Sequence, residues 1–295
     1  MQDGISASHP YGAFVIPSLA DEVGIYHTQP QLMYVPPQSA LGEFNDDFGD
    51  KLFLFEERPS GDWSDNPNFG NSKKIIGAVD LIKKLKKNHH SFVDQKYTVR
   101  ARLFDIFIGD WDRHDDQWRW ASFKDGKRTM YRPIPRDRDQ VFYRFDGILP
   151  FIVARPFLTP QFRSFDEEID YLPGLVFNAR SFDRANLNQL TRADFVEAAK
   201  ELQSKLTDEA IATAFESWPK SIYELNGADI IQKLKTRRAN LVDIANTYYE
   251  FLAQTPDVVG TNEDEIFKVS RLGNGLIKVE VFDVCLLYTS DAADE

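Results

Sequence analysis

The sequence has few of the residues that build covalent cross-links or histidine-rich metal centres. Its 295 residues include one cysteine, Cys285, and five scattered histidines. One cysteine excludes an internal disulfide framework and a cysteine-based zinc site. Few histidines argue against a metallophosphoesterase-type hydrolase, which needs several imidazole ligands. Carboxylates and arginines therefore remain as the main candidates for functional side chains.

Long apolar runs and excess positive charge are also missing. No run reaches the ~18 apolar residues that a membrane helix needs. The first ten residues, MQDGISASHP, lack the basic and apolar regions of a signal peptide. The net charge is −11, which predicts no general nucleic-acid binding. The apolar content of 42% is typical of a globular chain with a buried core.

Hydrophobic periodicity and turn residues predict an α+β fold. Strands are predicted at 31–36 and 51–59, a hairpin at 118–134, and a second hairpin at 264–283 around Gly273. Helices are predicted over most of 3–26, with a break at Pro17, and at 72–88, 92–107 and 227–254. Two more are predicted from Thr191 through Leu202 and from Thr207 to about Trp218. Thr191 and Asp194 form a predicted capping box. Trp111, Trp118 and Trp120 are predicted to lie in the core rather than to stack on a ligand.

Two acidic segments flank the first hairpin. Four aspartates fall within seven residues after a predicted helix: Asp110, Asp112, Asp115 and Asp116. Asp137 and Asp139 follow the hairpin. Phosphoryl transfer uses one aspartate as base, an amide five residues later, and a second aspartate beyond a hairpin as metal ligand. Asp112 precedes Gln117 by five residues, and Asp137 follows Gln117 by twenty, so the spacing fits. Magnesium prefers such oxygen ligands.

A basic strip overlaps the second acidic segment. Six cationic residues lie within 127–144: Lys127, Arg128, Arg132, Arg136, Arg138 and Arg144. In an acidic chain such a strip could hold a phosphorylated ligand. It could equally be a solvated face that pairs with nearby carboxylates. The sequence leaves both interpretations open.

The segments GDWDRHDDQ (109–117) and PRDRDQVF (135–142) resemble motifs of atypical kinases. The first resembles the G-N-x-D-R-H-x-x-N loop of phosphatidylinositol kinases, HipA-type toxin kinases, secretory-pathway kinases and CotH kinases. The second resembles the D-x-D metal segment of the CotH group. The motifs cover about residues 105–142. The order of helices extends the likeness to about 20–255.

The resemblance implies roles for individual residues. It makes Asp112, Arg113 and His114 the catalytic residues, and it makes Asp137, Gln117 and Asp139 the metal ligands. Glu56, Arg132 and Arg136 would bind the nucleotide. The implied cofactors are Mg²⁺ and ATP, and the implied partner is an unknown phosphate acceptor. Asp110 and Gln117 stand where the family usually has asparagine.

The same resemblance divides the chain into lobes. Residues 1–60 would be a partial N-lobe with an αC-like helix and two strands, and 61–255 a helical kinase-like C-lobe. Residues 256–284 would begin a following β domain. The segment 285–295 resembles translated sequencing-adaptor sequence and is predicted to be non-native. No Gly-rich loop is present, so the expected fold is protein-kinase-like with a truncated N-lobe.

More narrowly, the chain resembles the middle region of large Bacteroidota proteins. In these, a metallophosphoesterase precedes the region and an outer-membrane surface-antigen barrel follows it. The resemblance implies a fragment of a cell-envelope protein, in the periplasm or outer membrane. Three functions stay open at this point: a Mg²⁺- and ATP-dependent phosphotransferase, a catalytically degenerate kinase-like scaffold, and a metal-dependent phosphohydrolase.

Overall fold

A computed structural model describes residues 7–144, 161–273 and 277–284 and confirms the predicted α+β class. The helices are α1 (Ile16–Val23), α2 (Asn45–Phe48), α3 (Ala78–Lys87), α4 (Gln95–Ile108), α5 (Leu172–Leu175), α6 (Arg180–Asn186), α7 (Arg192–Lys205), α8 (Asp208–Ala214), α9 (Lys220–Ile222), α10 (Ala228–Ala239) and α11 (Leu241–Ala253). The strands are β1 (Gln31–Val35), β2 (Lys51–Phe55), β3 (Ile75–Gly77), β4 (Ser91–Val93), β5 (Trp118–Asp125), β6 (Arg128–Pro135), β7 (Glu265–Arg271) and β8 (Ile277–Asp283).

Helix α4 is the centre of the largest hydrophobic core. The Asp94 side chain caps its first turn by accepting from the Tyr97 N–H at 3.1 Å. Eleven residues of α4 are buried, because α1, α7, α10 and α11 pack around it. It ends at Gly109, whose left-handed φ of 73° suits glycine and turns the chain into the first acidic segment. The core therefore fixes where that segment begins.

The predicted hairpin at 118–134 is confirmed as β5 and β6. Asp125 pairs with Arg128 across a two-residue turn, and Gly126 takes a φ of 58° at its first position. The four-stranded sheet has the order β3-β5-β6-β4, with β4 parallel to β6. Trp118 and Trp120 are buried beneath this sheet, as predicted. The hairpin holds the two acidic segments at its open end, because Trp118 pairs with Pro135 there.

The predicted helix at 72–88 is partly wrong. Residues Ile75–Gly77 form β3 and pair with Arg119–Ala121 of β5, and the helix begins only at Ala78. Two β-branched residues followed by glycine suit an edge strand better than a helix start. Ser72 does not cap a helix; its hydroxyl donates to the Lys74 carbonyl at 3.0 Å.

The other helices follow the predictions with three corrections. The predicted helix at 92–107 begins only at Gln95, because Phe92 and Val93 belong to β4. The capping box of Thr191 and Asp194 is present, and α7 buries the predicted apolar side. The predicted helix at 227–254 is two helices, because Asn240 leaves helical geometry at φ −93° and ψ 4°. Pro17 does not break the first helix but occupies its first turn, where no N–H is needed.

Two antiparallel ribbons complete the fold. The ribbon β1–β2 carries exposed apolar side chains, among them Tyr34 opposite Leu52. The predicted C-terminal hairpin is confirmed as β7–β8, although part of its turn lies outside the described residues. A 2.7 Å contact between the His89 Nε2 and the Glu265 Oε1 joins it to the end of α3. No helix in the described ranges combines the length and apolar character needed to cross a bilayer.

Candidate functional site

The first acidic segment is anchored by a buried ion pair. The Asp110 carboxylate is fully enclosed, and the Arg113 Nε lies 3.2 Å from its Oδ2. Burial raises the pKa of Asp110 to about 7, an effect that the charge of Arg113 partly offsets. Asp105 and Asp139 add to the rise. Asp110 is thus a structural residue beneath the loop rather than a group exposed to a ligand.

Asp112 is held by a residue that is distant in the sequence. The Asn178 amide donates to the Asp112 Oδ1 at 3.0 Å, and Asp112 is partly buried. Asn178 lies between α5 and α6, in a region whose structure the sequence did not predict. One oxygen of Asp112 is oriented by this bond, as a general base would require.

Arg113 joins the two acidic segments. Its Nη2 donates to the main-chain carbonyls of Arg136 and Asp137, both at 2.9 Å. The side chain is buried, so these bonds are shielded from water. In addition, the Arg136 N–H donates to the Gln117 carbonyl at 3.1 Å. Two segments that are separated by the hairpin therefore lie side by side.

Asp137 has an unusual backbone conformation. Its φ is 57°, in the left-handed region that only glycine, asparagine and aspartate enter readily. Its N–H donates to both Glu56 carboxylate oxygens at 2.9 Å, while its carbonyl accepts from Arg113. The main chain of this predicted metal ligand is therefore held from two sides.

Gln117 and His114 form a compact turn between Asp112 and β5. His114 caps the 3-10 turn Asp115–Gln117 by accepting from the Asp116 N–H at 3.3 Å. The Gln117 side-chain nitrogen lies 3.4 Å from the His114 Nε2. The Gln117 Oε1 is buried and has no hydrogen-bond partner within the described ranges. A buried oxygen without a donor suits a cation ligand.

Asp139 is the third carboxylate at this site. Burial raises its pKa, and the charge of Asp137 raises it further, as does that of Asp112. The Gln140 amide donates to its Oδ2 at 2.9 Å. The charges of Asp112 and Asp137 therefore both act on Asp139, so the three carboxylates lie close enough to interact. A cation placed among them would relieve their repulsion.

A network of buried charges supports both segments from below. Arg102 donates to both oxygens of Asp183, at 2.8 and 3.1 Å, and to Asp105 at 2.7 Å. The Asp105 Oδ1 also lies 2.7 Å from the Arg138 Nη2. Arg138 is the residue between Asp137 and Asp139, so α4 is tied directly to the second acidic segment. Buried pairs of this kind fix geometry because breaking one leaves an uncompensated charge.

The predicted nucleotide-binding residues are divided between two places. Glu56 and Arg136 lie at the second acidic segment, 3.6 Å apart, and both are largely buried. Arg132 is not brought to this site. Its Nε pairs with Asp94 at 2.9 Å, and it lines a separate cleft of about 290 Å³ beside α7.

The basic strip pairs mainly with carboxylates of the chain. Arg128 contacts Asp125, as Arg132 contacts Asp94, Arg136 contacts Glu56 and Arg138 contacts Asp105. Of the two interpretations that the sequence left open, these contacts favour internal pairing. The phosphate-binding role of Arg132 is the prediction most affected.

The predicted metal ligands do not form a cluster of three acidic or imidazole side chains among the described residues. Within 7–144, 161–273 and 277–284, no three His, Cys, Asp or Glu residues are arranged to hold a metal ion. A kinase-like site does not require such a cluster, because one aspartate and one amide share the ion with phosphate oxygens and water. Asp137 and Gln117 are those two types of ligand, and they lie on adjoining segments.

Solved structures similar to this chain include two kinase-like proteins. The chain matches no protein-family model and no curated protein. The Helicobacter pylori proinflammatory kinase CtkA is similar over 82% of this chain and 84% of its own, at 12% identity and a TM-score of 0.44. HipA of a Shewanella oneidensis MR-1 toxin–antitoxin system, in a complex with HipB and operator DNA, is similar over 80% of this chain. That match spans 57% of the HipA chain, at 15% identity and a TM-score of 0.42.

Proposed function

We propose that the two acidic segments form the catalytic end of a kinase-like phosphotransferase that uses Mg²⁺ and ATP. The observation that carries this proposal is the joining of the segments by Arg113. Its bonds to the Arg136 and Asp137 carbonyls bring the segment of Asp112 against the segment of Asp137. A base and a metal ligand on adjoining loops are the two parts that phosphoryl transfer needs from the protein.

Asp112 is the general base in this proposal. It accepts the proton of an acceptor hydroxyl while that oxygen bonds to the γ-phosphorus and the bond from the γ-phosphorus to ADP breaks. Asn178 supports this role because it fixes one carboxylate oxygen at 3.0 Å and leaves the other to face the acceptor. Arg113 and His114 hold the loop in position. Arg113 donates to the Asp137 carbonyl of the second segment, and His114 caps the turn Asp115–Gln117.

Asp137, Gln117 and Asp139 are the ligands for Mg²⁺ in this proposal. The fit rests on the buried Gln117 Oε1, which has no donor among the described residues, and on the Asp139 carboxylate, whose pKa is raised by burial and by the charge of Asp137. Magnesium, when bound, neutralises charge on the nucleotide phosphates. The positions of Asp137, Gln117 and Asp139 determine where the phosphates would bind. Arg136 lies at the same place and can face a phosphate if its 3.6 Å contact with Glu56 opens.

We further propose that the domain belongs to a larger envelope protein. Support comes from the resemblance of the sequence to the middle region of Bacteroidota proteins with a metallophosphoesterase and an outer-membrane barrel. Fractionation of cells that express the full-length protein tests this point, with the domain expected in the envelope fraction. Recovery in the cytosol alone would contradict it.

A calorimetric titration with Mg²⁺·ATP tests the nucleotide site. Wild type is expected to bind, and Asp137→Asn is expected to bind at least about tenfold more weakly. Asp115→Asn is the matched control, because Asp115 is an exposed carboxylate of the same loop. Equal affinity for wild type and Asp137→Asn would contradict the metal assignment. An absence of binding by wild type would contradict the function.

A further inference from the structure

We propose that Glu56 is a positioning residue that locks the metal-ligand segment in place, rather than a residue that touches the nucleotide. This inference rests on the proposed function, because it concerns how Asp137 is presented to a metal ion. It changes the role that the sequence resemblance implies for Glu56. It also links the N-terminal ribbon β1–β2 to the chemistry of the second acidic segment.

The Asp137 backbone needs external support. A non-glycine residue in the left-handed region costs on the order of 1 kcal/mol relative to ordinary conformations. At φ 57° the Asp137 N–H points at Glu56, which accepts it with both oxygens at 2.9 Å. Hydrogen bonds to a charged acceptor are about twice as strong as neutral ones. The Glu56 carboxylate therefore stabilises the conformation that aims the Asp137 side chain.

Arg113 acts on the opposite side of the same residue. Its guanidinium donates to the Asp137 carbonyl, so an anion holds the N–H and a cation holds the C=O. The two peptide groups that flank the Asp137 Cα are thereby fixed. This sets the direction of the Asp137 Cα–Cβ bond, so the carboxylate is limited to the few staggered rotamers that this backbone allows.

Glu56 is itself held in position. The Thr28 hydroxyl donates to its Oε1, and Arg136 lies 3.6 Å from its Oε2. Only 11% of the Glu56 side chain is exposed. Both carboxylate oxygens are thus occupied within the protein. A negative group in this position would repel nucleotide phosphates, which also favours a positioning role over direct binding.

The neighbouring Glu57 provides a matched control. It is the second residue after the end of β2, next to Glu56, and its carboxylate accepts from the Gln29 N–H at 2.8 Å. That contact stays within the N-terminal part of the chain and does not reach the acidic segments. Removing the charge of Glu57 therefore tests the general effect of losing a carboxylate at the end of β2.

The first measurement is amide hydrogen exchange of the full chain over residues 136–141. In Glu56→Ala the Asp137 amide is expected to exchange at least about tenfold faster than in wild type. Glu56→Gln keeps one acceptor oxygen, so a smaller acceleration is expected. Glu57→Gln should leave this amide unchanged. Unchanged exchange in Glu56→Ala would overturn the proposed lock.

The second measurement compares the binding of Mg²⁺·ATP and of ATP with the metal removed by chelator. Glu56→Ala is expected to weaken binding of Mg²⁺·ATP roughly 10-fold, the usual effect of losing a group that orients a metal ligand. Glu56→Gln should lie between Glu56→Ala and wild type. Binding of metal-free ATP should change less than about twofold, since the lock acts on the metal ligand. A general structural defect would weaken both.

The outcomes separate this inference from the proposed function. If Asp137→Asn weakens Mg²⁺·ATP binding but Glu56→Ala does not, the site functions and the positioning role is wrong. If Glu56→Ala weakens metal-free ATP equally, Glu56 contacts the nucleotide or supports the fold, and the inference is also wrong. If wild type binds no Mg²⁺·ATP, the proposed function fails, and amide exchange alone decides whether Glu56 holds the Asp137 backbone.

Discussion

The Arg113 guanidinium donates a 2.9 Å hydrogen bond to the main-chain carbonyl of Asp137. Because Arg113 is buried and also pairs with Asp110, this contact joins the first acidic segment to Asp137, the predicted metal ligand of the second segment, and to the buried carboxylate of Asp110. Arginine suits this role because its planar group can donate in several directions at once. The contact is therefore the structural centre of the candidate site.

Replacing this guanidinium should destabilise the fold. Arg113→Lys replaces the planar guanidinium with a single ammonium group and leaves at least one of the two carbonyls that Arg113 contacts without a donor. We expect the free energy of unfolding to fall by about 1.5–3 kcal/mol in urea titrations. Arg58→Lys is the control, because Arg58 pairs with Asp116 at the surface, where such pairs contribute about 0–1 kcal/mol. Similar losses for the two variants would contradict the structural role of Arg113.

Asn178 should act on turnover rather than on nucleotide affinity. Asn178→Ala removes the only donor described for the Asp112 carboxylate, so the base loses its orientation. We expect kcat to fall roughly 10-fold while the Kd for Mg²⁺·ATP stays within about twofold. Asn186→Ala is a suitable control, because Asn186 donates within α6 to the Phe182 carbonyl. A loss of affinity without a loss of rate would contradict this role.

The stability effect of Asp110 should depend on pH. Its pKa of about 7 in the folded state lies above the ordinary value of 3.8. The folded state therefore keeps a proton that the unfolded chain has lost, and the resulting stability declines as pH rises from about 4 to about 7. Asparagine cannot ionise. As pH rises across this range, wild type should lose stability relative to Asp110→Asn. Above this range, the difference in unfolding free energy between the two should stay constant.

Denaturant titrations at several pH values measure that difference. Asp115→Asn provides the reference, since Asp115 is exposed and its replacement should give curves parallel to wild type. Parallel curves for Asp110→Asn as well would mean that Asp110 is not held in a proton-retaining environment. The charge of Arg113 would then offset the whole effect of burial on Asp110.

The backbone of Asp137 gives a further prediction. Asparagine tolerates a left-handed φ, whereas alanine does so at a cost of about 1 kcal/mol or more. Asp137→Asn should therefore keep the free energy of unfolding within about 0.5 kcal/mol of wild type, while Asp137→Ala should lower it by about 1 kcal/mol. Equal stability of the two variants would indicate that the left-handed conformation is not maintained in solution.

Local patterns predicted the framework of this site. Alternation and a Gly-containing turn predicted β5 and β6, and the spacing of aspartates predicted two acidic segments at the open end of that hairpin. Ile75 and Ile76 were misassigned, because a three-residue edge strand is set by its partner β5 rather than by its own sequence. Periodicity could not detect that Asn240 divides the last long helix.

Contacts between distant residues could not be predicted. Asn178 is 66 positions from Asp112, and Glu56 is 81 positions from Asp137, so no spacing rule connects them. Arg132 was assigned to a ligand because of its charge, yet it pairs with Asp94 because alternate side chains of β6 face different neighbours. The acidic motif located the site. The fold then determined which neighbours complete it.

Transfer of labelled phosphate from ATP, with Mg²⁺ present, tests the central claim most directly. Wild type is expected to transfer phosphate to itself or to water. Asp112→Asn should reduce the rate by about 10²–10⁴-fold while keeping the affinity for Mg²⁺·ATP, and Asp115→Asn should retain the wild-type rate. Full activity in Asp112→Asn would contradict the base assignment. Binding of Mg²⁺·ATP by wild type with no transfer at all would contradict the phosphotransferase and leave a nucleotide-binding module.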